Sequence, residues 1–434
     1  MTSPYLFLTV NGISRLVSGA LTPLLALLVT QAFAIDTLAT CVIAAAAVRL
    51  CLTPLLGPLI DRVNAFSLLW RCEIALALVS LAAAAWLWFN QMGAIHWMLF
   101  FIASAIVQSI EGPAFPKLVM GLVAREELTR FTARETAIFG FARFAGPVVT
   151  GLALLVWPTD RAVMVALLAP SMVSLPVYWL IQRRGLSMPA TATSERLGKQ
   201  HSSIGGLFSN WTHEVIAGFR FRWSIVTERY LGLQVFLELA VIVPTFGILL
   251  PFIVTERKWG NSWLGWLEAA SGAGLVIGSV LAPRAMQAIG RWRLCIGSAL
   301  TLAAGVFACA ACLYWDNAYG LAAALLVANL ALAFRMQAGA AQRRIAIPER
   351  LRARVAGVHL TLNALAAQLG VAAAATWLIG YSPVAWFIMS GALLLLLALT
   401  MPLVPGFREL VSVDVAGAVG FYERRFPKAF AAPA

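Results

Sequence analysis

Charge is what this sequence has least of. Only 12% of its 434 residues are Asp, Glu, Lys or Arg, about half the share found in an ordinary soluble domain. Acids are scarcer than bases, 19 against 32, so the chain carries a formal charge of +13. Histidine is rarer still: the four residues are spread along the chain and none forms a Cys/His cluster with zinc spacing. The six cysteines all fall inside apolar stretches, where they make no disulfide framework. Cys309 and Cys312 form a C-x-x-C, but within a long apolar helix this is an i,i+3 pair of small packing residues. The sequence contains no G-x-x-x-x-G-K-[ST] phosphate loop, no H-E-x-x-H and no G-x-S-x-G. Their absence argues against ATP drive within this chain and against an enzyme. No cofactor or metal is expected.

Apolar residues fill the space instead, at 61% of the chain. Twelve segments have about the 20 residues that a bilayer crossing needs. They lie near 5–30, 37–60, 66–89, 95–116, 135–157, 161–182, 230–254, 262–283, 293–314, 318–342, 354–379 and 382–403. The first has no Lys or Arg before Arg15 and carries that arginine in mid-stretch, so it reads as a retained span rather than a secretory signal. The longest hydrophilic interruption divides the segments six and six. The expected organisation is an N-terminal six-helix bundle over 1–182, a central loop over 183–229, a C-terminal bundle over 230–403 and a tail over 404–434. Within the loop, Ile204, Phe208, Trp211, Val215 and Phe219 recur at helical spacing and mark an amphipathic helix lying on the membrane surface.

The cations are sorted. Connections 2–3, 4–5, 6–7, 8–9 and 10–11, together with the tail, hold 25 Lys and Arg, whereas the opposite connections hold only Arg161, Arg257 and Lys258. Such asymmetry places the basic side, with both termini and the central loop, in the cytoplasm. The fold class is therefore an all-α membrane protein, with twelve transmembrane helices in two pseudo-symmetric six-helix bundles. The net charge is explained by the bilayer and not by nucleic acid. Trp70, Trp86, Trp88, Trp97, Trp157 and Trp179 stand at segment ends, as in an interfacial aromatic belt.

Charges within the spans stand out against this background. Each arginine at a helix centre costs about 2.5–3.5 kcal/mol, and such residues are functional by default. Four occur: Arg15, Arg49, Arg143 and Arg335. Arg15 and Arg49 fall near the middle of the first two segments, Asn11 is one turn from Arg15, and no acid occurs in the inner parts of those segments. These three are the expected cargo-binding residues, whereas structural pairing is as good a reading for Arg143 and Arg335. Among the intramembrane acids, Glu73 is expected to pair with Arg71 or with a residue of the Gly57–Arg62 run at the end of the second segment. Loss of water favours the neutral form of a carboxyl group, as a proton carrier requires. Glu238, Glu111 and Glu268 are the proton-coupling candidates, Glu238 first, and static pairing with an arginine is the competing reading for each. His359 reads as a packed or hydrogen-bonded side chain.

Several short motifs sit on this pattern. Gly57-Pro58-Leu59-Ile60-Asp61-Arg62 closes the second segment, and the fifth carries Gly146-Pro147-Val148-Val149-Thr150-Gly151. The second half adds Gly265, Gly274 and Gly278, then Gln342, Pro348, Arg354 and Val355. The first run resembles the loop signature of the major facilitator superfamily, shortened because Val63-Asn64-Ala65 replaces its usual downstream Gly and basic residues. The second is similar to the G-P-x-x-G-G motif of that superfamily's antiporters, with Thr150 in place of one Gly. The whole resembles the branch containing the enterobactin exporter and macrolide efflux proteins. This resemblance implies a proton-coupled exporter of the inner membrane, acting as a monomer on a small-molecule cargo held at the midplane between the halves. It also gives gating roles to Gly57, Asp61, Arg62, Gly146, Pro147 and Gly151. The arginines favour an acidic cargo such as a siderophore; multidrug or macrolide efflux is the alternative.

Overall fold

The computed structural model describes residues 3–33, 35–60, 63–89, 92–122, 138, 142, 145–146, 149–154, 156–183, 219–220, 222–427 and 430. Among these, every regular element is a helix. The first four apolar segments are continuous: α1 (Ser3–Ala32), α2 (Ile35–Ile60), α3 (Ala65–Trp88) and α4 (Ala94–Leu122). The fifth segment is described only in part. The sixth is α5 (Thr159–Ala169) and α6 (Leu175–Arg183), joined by a π-helical turn over Pro170–Ser174. The seventh is broken in the same way into α7 (Val226–Pro244) and α8 (Leu250–Glu256) around a π turn over Thr245–Leu249. Pro170 and Pro244 explain the two breaks. Proline brings no N–H to the ladder and crowds the carbonyl four residues back, and a wider turn relieves both.

Next come α9 (Ser262–Ile289), α10 (Arg291–Tyr314), α11 (Ala318–Ala338), the short α12 (Ala340–Ala346), α13 (Glu349–Gly380) and α14 (Pro383–Thr400). Among the described residues, nine helices are long and apolar enough to cross a membrane. Local chemistry sets several of their starts. Asn64 caps α3 by accepting from the N–H groups of Phe66 and Ser67 at 3.0 and 3.2 Å. The stretch that departs from the loop signature thus does a different task, as a helix cap. Asn317 and Ser382 cap α11 and α14 in the same manner.

Two compact units emerge, each discontinuous in sequence. One comprises Met1–Phe208, Phe246–Trp266 and Val371–Ile379. In it α2 and α3 pack on α4, and α1 packs on α5 and α8. Polar contacts tie the stretch after the second π turn to this unit: Gln31 Nε2 donates to Asn261 Oδ1 at 2.6 Å, and Asn261 Nδ2 donates to Thr159 Oγ1 at 2.7 Å.

The other unit comprises Ser209–Thr245, Leu267–Gly370 and Gly380–Ala434. There α10 packs on α11 and α14. Without a hydrophobic driving force between helices in lipid, close backbone approach is what holds such pairs. Between α9 and α11 Gly278, four residues after Gly274, supplies it, since a methyl group there would come within 2.6 Å of the Leu330 carbonyl oxygen. The C-terminal segment belongs to this unit as well. It forms α15 (Phe407–Ser412), α16 (Val415–Ala418) and α17 (Phe421–Arg425). Leu410, Phe421 and Tyr422 are buried against Ile225, Ala346, Ile347 and Val355. Trp97, expected in the interfacial belt, is buried at 1% exposure, whereas Trp86, Trp88, Trp157 and Trp179 are exposed.

Candidate functional site

In the first unit Arg15, Arg49, Arg71, Glu73 and Glu111 stand on α1 to α4. Arg15 on α1 is exposed, and Glu111 on α4 lies within its electrostatic reach. Sequence reasoning left Arg15 without a counter-charge; the structure supplies one from the fourth helix. Glu73 on α3 is buried, and its charge and that of Glu111 act on each other and on Tyr178. Of the partners expected for Glu73, Asp61 and Arg62 lie outside the described residues, and Glu73 Oε2 has no hydrogen-bond partner among the described residues; Arg71 is exposed and forms no ion pair with it. The reason is helical geometry, because residues two apart point to different faces. Arg49 on α2 is half-buried, and its Nε is enclosed without a hydrogen-bond partner among the described residues. The side chain of Asn11 and the whole of Asp61, Arg62, Arg143 and Pro147 lie outside the described residues, and Gly57 is described only as part of α2.

The Gly-Pro motif of the fifth segment is a packing device where it is described. A methyl group on Gly146 would meet the Gly19 carbonyl carbon at 2.9 Å, and one on Gly151 would meet the Gly265 α-carbon at 2.8 Å. Thr150, the departure from the family pattern, is fully buried and donates from Oγ1 to the Ala20 carbonyl at 3.0 Å. Its hydroxyl therefore joins the fifth segment to the first.

In the second unit Glu238 on α7 and Arg335 on α11 form a buried ion pair. Gln234 Nε2 donates to Glu238 Oε1 at 3.4 Å. Glu268 on α9 is buried with its Oε1 unpartnered among the described residues. His359 lies 3.2 Å from the Asn363 side-chain nitrogen and 3.5 Å from Arg222 Nη2, as a hydrogen-bonded histidine should.

A further charged cluster went unread in the sequence. Glu228, just ahead of the seventh apolar segment, is fully buried, and Arg343 grips it with Nε on Oε1 at 2.8 Å and Nη2 on Oε2 at 2.7 Å. Tyr422 of the C-terminal segment donates its hydroxyl to Glu228 Oε1 at 2.6 Å. Burial opposes the charged form of Glu228, but Arg343, Tyr422 and Arg222 outweigh it and hold the carboxyl below its usual range. Arg222 and Arg343 had counted only as members of the basic side. The available signal was Tyr422 among Phe421, Arg424 and Arg425, too short a stretch to cross a bilayer and hence read as plain tail.

Residues 7–370 match the sequence profile of the Major Facilitator Superfamily. No curated protein matches the chain by sequence. Among solved structures, the nucleoside transporter NupG aligns at 11% identity and TM-score 0.64, covering 95% of this chain and 100% of its own. A bacterial homologue of the iron transporter ferroportin, in an inward-facing state, aligns at 16% and 0.66, covering 95% and 99%. A D-xylose–proton symporter aligns at 15% and 0.64, covering 91% and 96%. Identities this low speak for the fold alone. The profile match and that fold agree with the run of apolar helices: the chain belongs to the Major Facilitator Superfamily and is a multi-pass helical membrane protein, a secondary transporter of small molecules.

Proposed function

We propose that the chain exports a small acidic metabolite, with a siderophore as the leading candidate, in exchange for protons across the inner membrane, with both termini cytoplasmic. One observation carries this reading: the Arg49 guanidinium, whose Nε is enclosed without a hydrogen-bond partner among the described residues. A buried donor left unpaired is costly, the more so on a charged group. A carboxylate or a catecholate-type oxygen pair on the cargo satisfies it through two parallel hydrogen bonds. Arg15 and Asn11 on α1 belong to the same proposed site, and the charge on Glu111 supplies the counter-ion that Arg15 needs when no cargo is bound.

Glu238 is the proposed proton carrier. Protonation removes the charge that holds Arg335, so the pair opens when the proton arrives and closes when it leaves. That is a two-state element that a gradient can drive. Glu111 and Glu268 are the reserve candidates, and Asp61 with Arg62, Gly57 and the Gly146–Gly151 stretch form the proposed gate. Branch membership with the enterobactin exporter and macrolide efflux proteins rests on the motifs already described.

Deletion of the gene tests the cargo. Extracellular siderophore under iron limitation is expected to fall. Unchanged secretion, with a rise in sensitivity to lipophilic cationic drugs, would assign the chain to drug efflux instead.

A further inference from the structure

The ends of two spans, Ser262–Ile289 and Arg291–Tyr314, meet at a pocket of about 400 Å³. Ile289, Arg291, Trp292, Arg293, Arg408 and Ser412 line it, so three arginines face it and, among the described residues, no acid does. Two of these arginines stand in the first turn of α10. A helix N-terminus carries positive partial charge, and cations there disfavour the helix. The first turn has no acid, and Gly290 at the cap, held at φ 82°, offers no side-chain acceptor to the free N–H groups. Local stability thus opposes this arrangement twice over, and a bound anion resolves both conflicts.

The walls are built rather than incidental. Arg291 is held by its Nη1 donating to the Val413 carbonyl at 3.1 Å, and the amide group of buried Gln342 lies beside it. Arg293 and Arg408 are exposed and have no acidic partner among the described residues. Glu409, next in sequence to Arg408, pairs instead with Arg425 at 3.3 Å. Depth then selects the ligand. The pocket sits where two spans end, Trp292 is the kind of residue that marks a membrane interface, and Ile289 leaves about half its surface, 49%, open beside it. A phosphate carried on acyl chains finds apolar surface there that a soluble phosphate cannot use.

We propose that this pocket binds the phosphate of an anionic phospholipid, in the leaflet facing the basic connections, with Arg293 and Arg408 as its ligands and Arg291 as the wall that orients them. The site shares no residue with the proposed cargo site. Its test uses the full-length protein purified in a neutral detergent and titrated with phosphatidylglycerol, with phosphatidylcholine, or with inorganic phosphate, bound adducts being counted by native mass spectrometry. Phosphatidylglycerol is expected to bind the wild type and to bind the Arg293→Ala/Arg408→Ala protein about tenfold or more weakly. Arg293→Gln and Arg408→Gln alone should each give part of that loss, and phosphatidylcholine should not distinguish the proteins. Equal retention of phosphatidylglycerol by wild type and double variant would overturn the site. Inorganic phosphate binding the wild type as tightly as phosphatidylglycerol would overturn the lipid assignment.

Discussion

Glu228 keeps its charge in a fully buried position because both its oxygens are gripped by Arg343 and one also accepts from Tyr422. Removing one partner of such a pair leaves the other stranded. Glu228→Gln is expected to destabilise the protein by about 3–5 kcal/mol, and Tyr422→Phe by about 1.5–3 kcal/mol, as read by unfolding in detergent. The sign of the pH effect follows from the same contacts. A carboxyl held below its usual range adds stability above its unfolded value and loses it only as pH falls through the folded one. The unfolding temperature should therefore show no loss from this group between about pH 7 and about pH 5. A loss there that Glu228→Gln abolishes would contradict the pairing. Arg49 is the opposite case, a guanidinium whose buried Nε has no hydrogen-bond partner among the described residues. Arg49→Lys keeps the charge and removes the planar fork. It is expected to weaken cargo binding about tenfold or more at unchanged protein abundance.

Within the helices, the close approach of Gly151 to Gly265 leaves no room for a side chain. Gly151→Val should cost about 1–3 kcal/mol through overpacking, visible as loss of monodisperse protein on size-exclusion chromatography. A wild-type yield and melting temperature would exclude that contact. The long segments were legible from hydropathy because span length and apolar content are both local properties. The breaks within two of them were not, since a proline announces a disturbance but not whether a π turn absorbs it. Glu238 and Arg335 could be picked out singly as charges in apolar helices, but 97 positions separate them and nothing local says that they meet. The C-terminal helices escaped for another reason. Phe407, Leu410, Val411, Phe421 and Tyr422 carry a core's chemistry in stretches of only 6 and 5 residues, which a search for spans passes over.

For the molecule as a whole, the sorting of 25 cations to one side against 3 on the other sets the proposed topology. A reporter fused after residue 190 should be active in the cytoplasm and one after residue 317 outside it; the reverse at either site would invert the assignment. The central claim, that protons drive an acidic cargo outward, is best tested in proteoliposomes under an imposed pH gradient. Wild-type protein is expected to move an iron-free, acidic siderophore against its concentration gradient as protons run the other way. Glu238→Gln should retain binding but lose this uphill movement. If Glu238→Gln pumps at the wild-type rate, the proton role passes to Glu111 or Glu268; if wild-type protein drives lipophilic cations and leaves the acidic cargo at equilibrium, the account is wrong.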